Sequence, residues 1–295
     1  MTSLLYKLFG QDIWRIGLVK LDGEINNLLW EGVNWLDIHG GSDYEADPFI
    51  FMLGSKYYIA YERFNYCKGN AKIECIDLSG KHYNFFDDVN CKHGHKSFPF
   101  IFYDNDCLYC LPETADMHAL ELYKFDINKN KFIFHCDLMK DVRKVDSFIY
   151  KKNSTYFLFT SEITSPQRLE LFFSEDIEGP YVLHPSSPIA DNSAFGRNGG
   201  GIINIDSSLY RVAQNCSTTY GGGLNLMKID VFDELNYKET LASEILPISP
   251  YKDGIHTFSR CNEYIVIDGK VSIYRLSNLF RKSMYKLLKL LKVEL

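Results

Sequence analysis

Short runs of alternating apolar and polar residues fill most of this chain, and small polar turns separate them. The segment DPFIFMLGSKYYIAYE (Asp47–Glu62) is typical, because two apolar runs flank a turn at Gly54–Lys56. Alternation bounded by Gly, Asn, Asp and Ser predicts antiparallel β-strands. The chain is therefore predicted to consist largely of β-hairpins.

The hairpin pattern recurs along the chain. Similar hairpins begin at residues 47, 98, 146, 199 and 254, which are about 50 residues apart. Four of them are followed by further strand-like runs, such as Leu120–Ile127 and Lys131–Leu138. Five such units with no helices between them predict an all-β fold, a five-bladed β-propeller.

The two ends of the chain complete this prediction. We expect the propeller to occupy residues 1–276, with a strand at Trp14–Leu21 completing the last blade. Residues 277–295 predict a basic amphipathic helix, because leucines recur there at helical spacing among Lys and Arg. Such a helix either lies on an anionic membrane surface, here through residues 278–293, or packs on the propeller or a second copy.

Composition narrows the class of protein. The net charge of −6 and the pI of about 5.8 argue against a nucleic-acid partner. The eight cysteines are irregularly spaced, which indicates free thiols in a reducing compartment. The first residues lack the features of a signal peptide, and no apolar run is long enough to span a membrane. We therefore expect a cytoplasmic protein. If the C-terminal helix binds a membrane, the protein lies at the inner face of the cytoplasmic membrane.

Acidic residues open two of the predicted inner strands. In a propeller the first strand of each blade lines the central channel, so Asp47 and Asp146 are expected to face one funnel. An acid at the start of a buried strand is costly unless it is hydrated or paired, which favours a polar site. The alternative is that each aspartate caps a turn before its strand.

A second set of polar residues ends the second strand of four hairpins. These residues are Glu62, Glu113, Glu162 and Gln214. Their simplest role is to fix the neighbouring turn. Glu113 follows Pro112, which distorts the strand end, so we favour Glu113 over Glu62 and Glu162 as a site residue.

A glycine-rich pair of segments, Phe195–Gly201 and Ala213–Gly223, supplies the remaining candidates. Glycines allow backbone to approach a ligand, although they also suit tight turns between strands. Arg197 offers a fixed cation suited to phosphate or carboxylate. The predicted substrate-binding residues are Arg197, Asn198, Gln214, Tyr220 and His256. The segments do not match a P-loop, and we predict no metal site and no cofactor.

These motifs carry a family resemblance. The runs ADPFIF, SFPFIF, VDSFIY, LELFFSEDIEGPYVLHPSSPI and YRVAQNCSTTYGGGLNLMKID resemble, in order, the N-terminal propeller domain of plant glucosamine inositolphosphorylceramide transferases. The resemblance covers roughly residues 45–260. It extends to bacterial relatives that accompany enzymes of surface-polysaccharide assembly. More distantly, the chain is similar to the five-bladed propellers of arabinanases, invertases and levansucrases.

The resemblance implies roles for the candidates. In the similar glycosidases a blade-one Asp is base or nucleophile, which matches Asp47, and a blade-three Asp supports the transition state, which matches Asp146. Their blade-four acid has no match here, because Arg197 stands in that region. A donor with a phosphate leaving group needs a cation rather than an acid, whereas Glu113 could serve as a substitute acid for hydrolysis.

Three functions follow as hypotheses. The first is a glycosyltransferase or related glycan-modifying enzyme of bacterial surface-polysaccharide synthesis. It would use a phosphate-activated sugar donor and a glycan or lipid-linked glycan acceptor. The second is a glycoside hydrolase that uses Asp47 and Glu113. The third is a noncatalytic glycan-binding propeller, since fold alone does not decide function.

Overall fold

The computed structural model describes residues 4–21, 32–38, 44–65 and 69–290. Within them, the strands form five antiparallel sheets arranged as the blades of a propeller, and a C-terminal helix follows. The predicted all-β, five-bladed fold with a short C-terminal helix is confirmed.

Each blade is one sheet, and the strands of blades one to four follow one another along the chain. The N-terminal segment contributes α1 (Leu4–Phe9), β1 (Gly10–Lys20) and β2 (Asn34–Trp35). Blade one is β3 (Tyr44–Leu53), β4 (Lys56–Asn65), β5 (Asn70–Asp77) and β6 (His82–Tyr83), followed by α2 (Asp87–Asn90). Blade two is β7 (Ser97–Asp104), β8 (Cys107–Glu113), β9 (Ala119–Asp126) and β10 (Lys131–Lys140), with a 3₁₀ turn at Ala115–Met117.

The second half of the chain continues in the same way. Blade three is β11 (Lys144–Lys152), β12 (Thr155–Glu162), β13 (Ser165–Ser174), β14 (Val182–Leu183) and β15 (Ala190–Asp191). Blade four is β16 (Arg197–Ile205), β17 (Ser208–Asn215), β18 (Gly223–Phe232) and β19 (Tyr237–Ile245). Blade five contains β20 (Phe258–Cys261) and β21 (Tyr264–Tyr274), and α3 (Leu276–Leu290) follows it.

Blade five combines strands from both ends of the described chain. Strand β1 pairs antiparallel with β21 from Gly10 opposite Tyr274 to Lys20 opposite Tyr264, and β2 lies outside it. This strand begins four residues before the predicted Trp14. The inner strand β20 begins at Phe258 and not near Gly254, because Gly254 instead forms an isolated bridge with Lys270.

Five apolar clusters hold the blades together, one between each pair of neighbours. Phe51 of blade one packs with Phe132 of blade two, and Ile50 of blade one joins Val266 of blade five. The other three clusters lie between blades two and three, three and four, and four and five. The high share of aromatic residues fills these wedge-shaped gaps, as where Phe157 of blade three packs against Phe232 of blade four with ring centroids 4.5 Å apart.

A β-bulge interrupts four of the inner strands near their start. In blades one to three the bulged residue has positive φ: 50° at Asp47, 43° at Phe98 and 47° at Asp146. Blade four has its bulge between Asn198 and Ile202. Left-handed backbone is costly for residues other than glycine, and Asp tolerates it better than most. The bulge re-aims one side chain per blade at the same height of the channel.

The helices from the two ends pack against each other. Asn278 Nδ2 donates to Phe9 O at 2.8 Å, and Lys282 Nζ donates to Tyr6 O at 3.1 Å. Helix α3 begins at Leu276, one residue before the predicted range of 277–295. In the part of the chain that the structure describes, no helix combines the length and apolar character needed to cross a membrane.

Candidate active site

The site lies where the inner strands begin, at one end of the central channel. Asp47, Phe98 and Asp146 occupy the bulge position of blades one, two and three. In each case a phenylalanine two positions later forms the first regular pair, and Phe258 of blade five does the same. That register places His256 at the equivalent position of blade five, so three polar side chains enter the funnel from separate blades.

Asp47, His256 and Asp268 form a buried chain of interactions. His256 Nε2 lies 3.3 Å from Asp47 Oδ1, and His256 Nδ1 lies 2.5 Å from Asp268 Oδ2. Asp268 also accepts the backbone N–H of His256 at 2.8 Å and that of Asp47 at 3.2 Å. Burial lowers the pKa of His256, but the charges of Asp268 and Asp47 outweigh it and raise this pKa above its ordinary value.

Two further donors fix the Asp47 carboxylate. Thr257 Oγ1 donates to Asp47 Oδ1 at 2.9 Å, and the backbone N–H of Phe98 donates to Asp47 Oδ2 at 3.2 Å. Burial raises the pKa of Asp47, while the neighbouring His256 offsets part of this effect. Asp47 is thus a rigidly held carboxylate whose proton affinity exceeds that of an ordinary aspartate, which suits a general base.

Asp146 and Arg197 form an ion pair on the opposite side of the funnel. Arg197 Nε contacts Asp146 Oδ2 directly, and the two side chains are 17% and 5% exposed. Glu113 lies beside this pair and accepts the backbone N–H of Asp146. The funnel residues of neighbouring blades are therefore linked through carboxylates that accept the next blade's backbone amide.

Glu113 has the proton affinity of a general acid at neutral pH. Burial raises the pKa of Glu113 to about 8, and the charge of Asp146 adds to the effect, while Arg197 opposes it. A carboxyl group with this pKa is mostly protonated at pH 7 and can donate its proton in a reaction. The sequence singled out Glu113 from the strand-end set, and the structure places it in the funnel.

Glu62 also belongs to this group, contrary to the expectation that it closes a turn. Glu62 is paired with Ala46 on the inner strand of blade one, just as Glu113 is paired with Ser97 on the inner strand of blade two. Burial raises the pKa of Glu62 well above its ordinary value, and the nearby Asp47 adds to the increase. His95 Nε2 lies 3.3 Å from Glu62 Oε1 on its outer side.

Glu162 is a structural residue. It stands one position beyond the equivalent of Glu62 and Glu113, because Ser161 is paired with Val145 next to the bulge. The Glu162 carboxylate contacts Lys144 Nζ at 2.8 Å, and the same ammonium also contacts Glu170. The repeated strand-end pattern in the sequence thus combines residues of two different registers.

Aromatic rings form one wall of the funnel. Trp14 of the N-terminal strand lies over His256 with ring centroids 4.0 Å apart, and Tyr220 meets His256 edge-on at 5.3 Å. The Arg197 guanidinium lies over the Tyr220 ring, with its Cζ 5.0 Å from the ring centroid. Tyr220 is 46% exposed, so this wall offers aromatic surface at the opening, and ligand pockets commonly combine such surface with a few polar groups.

Asn198 and Gln214 are buried beneath the funnel residues and form hydrogen bonds that connect blades three and four. Asn198 Nδ2 donates to Asp146 O at 2.8 Å, and its Oδ1 accepts from Arg211 at 3.2 Å. Gln214 Nε2 donates to Asn198 O at 2.8 Å. Both residues are predicted to bind substrate, and this stays a prediction; their described polar contacts are with protein groups and hold Asp146 and β16 in position.

The glycines after Asn198 serve packing between blades. A Cβ on Gly200 would come within 2.3 Å of Phe258 O, and one on Gly199 within 2.8 Å of His256 O. Glycine therefore lets blade four approach the backbone of blade five, which brings Arg197 and His256 into one funnel. The sequence pattern was compatible with this role as well as with ligand approach.

Two groups of described residues have ligand atoms close enough to hold a metal ion. One is the chain of Asp47, His256 and Asp268, whose ligand atoms lie within 4.8 Å of one another. In these contacts His256 Nε2 faces Asp47 and His256 Nδ1 faces Asp268. The other group, His135, Cys136 and Glu178, lies outside the funnel residues.

Four residues of the funnel were missed by sequence reasoning. They are Trp14, Glu62, Thr257 and Asp268. Asp268 ends the run YIVID of the last hairpin, so the sequence pattern could have placed it at the end of a second strand. Its contact with His256 could not be predicted, because that contact depends on the short inner strand of blade five. Trp14 reaches the funnel only because the N-terminal strand β1 joins blade five and closes the ring of blades.

The fold and the site together define a class, a five-bladed propeller with a buried cluster of carboxylates in its funnel. Residues 26–257 match the family model described as glucosamine inositolphosphorylceramide transferase 1, N-terminal. The chain belongs to this family.

Plant proteins of that name are among its relatives. The chain is 28% identical over 263 residues to glucosamine inositolphosphorylceramide transferase 1 of Oryza sativa subsp. japonica, which covers 78% of this chain and 35% of the relative. It is 31% identical over 211 residues to the protein of the same name from Arabidopsis thaliana, covering 67% of this chain and 27% of the relative. The chain thus spans about a third of the length of these relatives.

Solved structures with the same fold include glycoside hydrolases. A thermostable family-43 glycoside hydrolase superimposes with a TM-score of 0.51 at 14% identity, covering 70% of this chain and 78% of that chain. An α-L-arabinofuranosidase from Podospora anserina, in complex with cellotriose, gives 0.51 at 11% identity, covering 77% and 73%. At this identity the likeness concerns the fold alone.

Proposed function

We propose that this propeller is itself catalytic and transfers a sugar to a glycan acceptor by acid–base chemistry at the funnel. The observation that carries the proposal is the arrangement of Glu113, whose pKa burial raises to about 8, in the same funnel as the rigidly held Asp47. Two carboxyl groups whose environments give them different proton affinities are the usual equipment for making or breaking glycosidic bonds.

Each side chain has a role in this reaction. Glu113 donates its proton to the oxygen that leaves the anomeric carbon. Asp47 accepts the proton of the attacking hydroxyl or attacks the anomeric carbon itself, while His256 and Asp268 hold it in place. Asp146, paired with Arg197, supplies negative charge that supports the developing positive charge on the sugar ring.

The charge of the funnel bears on the donor. Burial favours the uncharged form of Glu62 and Glu113, so the carboxylates of Asp47, Asp146 and Asp268 face two cationic groups, Arg197 and His256, and Arg197 is paired with Asp146. A phosphate would meet this excess of acidic groups, so a glycoside with an uncharged leaving group fits the site better. A phosphate-activated donor that uses Arg197 is the second candidate, and the transferase name of the relatives favours it.

The biological setting is part of the proposal. We place the reaction in bacterial surface-polysaccharide assembly, on the cytoplasmic side. The thiols of the seven described cysteines are free, which supports a reducing compartment.

The test is turnover of the purified chain with two donor panels, aryl glycosides and nucleotide sugars, each offered with oligosaccharide acceptors. Glu113→Gln and Asp47→Asn would be compared with Glu162→Gln, which removes a carboxylate that is paired with Lys144 outside the funnel. We expect Glu113→Gln and Asp47→Asn to lower turnover by roughly 100-fold or more and Glu162→Gln to leave it close to wild type.

The other hypotheses make different predictions in the same assay. Release of free sugar with no transfer product, still dependent on Glu113 and Asp47, identifies a hydrolase. Oligosaccharide binding without turnover, unaffected by Asp47→Asn, identifies a binding propeller and rejects the proposal.

A further inference from the structure

Among the described residues, six of the seventeen exposed large apolar side chains lie on the two terminal helices. Leu4 and Leu5 of α1 are 72% and 65% exposed. Leu276, Phe280 and Leu287 of α3 are 76%, 73% and 55% exposed. Leu8 and Tyr274 between them are also exposed. We call this the terminal helix surface, formed by Leu4–Phe9, Tyr274 and Leu276–Leu290.

The orientation of α3 is the reverse of that in most globular proteins. Phe280 and Leu287 follow Leu276 by four and eleven residues, so the three side chains lie on one face of the helix. This face points outward, because all three side chains are exposed. The polar residues Asn278 and Lys282 lie on the other face and bond to the backbone of α1. A helix that turns its apolar face outward requires a partner for that face.

The charge of this region identifies the partner. Between Gly269 and Val293 the sequence contains no Asp or Glu. From Arg275 onward the basic residues in that interval are Arg275, Arg281, Lys282, Lys286, Lys289 and Lys292. Lys7 adds a further positive charge on α1. A second copy of the chain would bring like charges together, whereas an anionic lipid surface complements both the charge and the apolar residues.

The terminal helix surface also lies on the funnel side of the propeller. Strand β21 passes Asp268, which contacts His256 in the funnel, and continues to Tyr274. Six residues of extended strand span about 20 Å. Both helices therefore project from the rim that surrounds the opening of the site.

We infer that the terminal helix surface docks the protein on an anionic lipid bilayer, with the funnel opening held next to that bilayer. Leu276, Phe280 and the exposed leucines of α1 enter the boundary between headgroups and acyl chains. The lysines and arginines contact the lipid phosphates. Resting on the proposed function, this geometry makes the acceptor a glycan attached to a lipid.

The test is flotation of the full-length chain with vesicles of phosphatidylcholine alone and of phosphatidylcholine mixed with phosphatidylglycerol. We expect binding to the anionic vesicles, with a loss on raising salt. The double variant Leu276→Ser/Phe280→Ser should weaken this binding by roughly tenfold or more, since two apolar side chains no longer leave water. Ile127→Ser/Leu235→Ser is the matched control, because these residues are 70% and 69% exposed on other blades.

Several outcomes overturn the inference. They are no binding to anionic vesicles, equal binding by the Leu276→Ser/Phe280→Ser variant, and a concentration-dependent dimer that this variant abolishes. Unchanged thermal unfolding of both double variants shows that the folded propeller is being compared. Because flotation needs no turnover, failure of the catalytic proposal leaves this result interpretable.

Discussion

At the scale of single residues, the raised pKa of Glu113 makes a testable statement about stability and pH. Its folded-state pKa is about 8 against an ordinary value of 4.5, so between these values the folded protein binds a proton that the unfolded chain releases. Stability from this group is therefore complete below the ordinary pKa and is lost as pH rises toward about 8. The slope for one proton is at most about 1.4 kcal/mol per pH unit.

We predict that Glu113→Gln flattens part of this pH dependence, because glutamine keeps the shape but has no proton to lose. Urea unfolding measured across the interval between the two pKa values provides the check. Glu162→Gln, which alters an ion-paired carboxylate at the end of the next blade's strand, should retain the wild-type slope. An equal slope in wild type and Glu113→Gln would contradict the assigned pKa.

The ion pair of Arg197 and Asp146 allows a second prediction at this scale. Arg197→Gln leaves Asp146 buried without its partner, and breaking a buried pair in this way costs about 3 kcal/mol. Denaturant unfolding measures the loss. Adding Asp146→Asn to Arg197→Gln should recover much of it, whereas additive losses would show that the two residues do not interact.

Single residues also show how far sequence reasoning reaches. Asp47 and Asp146 were predictable because an aspartate before an apolar strand is conspicuous in sequence. Glu62 and Glu162 look alike in sequence, yet Glu62 is paired with Ala46 whereas Ser161 holds the equivalent position in blade three, and Glu162 lies one residue beyond it. Successive residues of a strand face opposite sides of the sheet, so an offset of one residue decides whether a carboxylate faces the funnel, and the apolar pattern alone does not fix the register to one residue.

At the scale of elements, the position of the chain segment that leads into β16 of blade four depends on Gly196. A Cβ there would lie 1.8 Å from Gln167 O and 2.5 Å from Asn192 O, and both atoms belong to backbone. Since backbone cannot move aside cheaply, the start of β16 must shift, and Arg197 is the first residue of that strand.

We predict that Gly196→Ala destabilises the protein by about 1–3 kcal/mol, the usual cost of overpacking, and also lowers turnover through Arg197. Thermal unfolding and the donor assay measure the two effects. Gly223→Ala is the control in the same blade, because its Cβ would come no closer than 3.4 Å to Ile245 O. Wild-type stability of Gly196→Ala would show that β16 is less constrained than the contacts indicate.

Elements were the most predictable level of this structure. Hairpin periodicity gave the blade number and the inner strands of blades one to four, because alternation and turn residues report local conformation. It failed at blade five, where the inner strand has only four residues and the expected start at Gly254 was wrong. A strand this short leaves no alternation to detect.

At the scale of the whole molecule, ring closure makes the fold depend on its first strand. Strand β1 pairs with β21 along eleven residues, and its buried Ile16 packs between blades five and one. Without β1, blade five would retain two strands and expose an apolar edge.

We therefore predict that removing residues 1–21 abolishes cooperative thermal unfolding, and that a synthetic peptide of residues 10–21 restores it. A peptide with Ile16→Lys is the control and should fail to restore the transition. A truncated chain that melts like wild type would show that closure through β1 is dispensable.

The pairing of β1 with β21 also fixes where attached sequence can go. The backbone N–H of Arg275 donates to Phe9 O at 3.1 Å, so the chain enters and leaves the propeller at one point of its rim. That point lies on the funnel side. A second domain fused before Phe9 or after Arg275 would therefore emerge beside the opening, and two active sites joined in this way could pass one intermediate between them without releasing it.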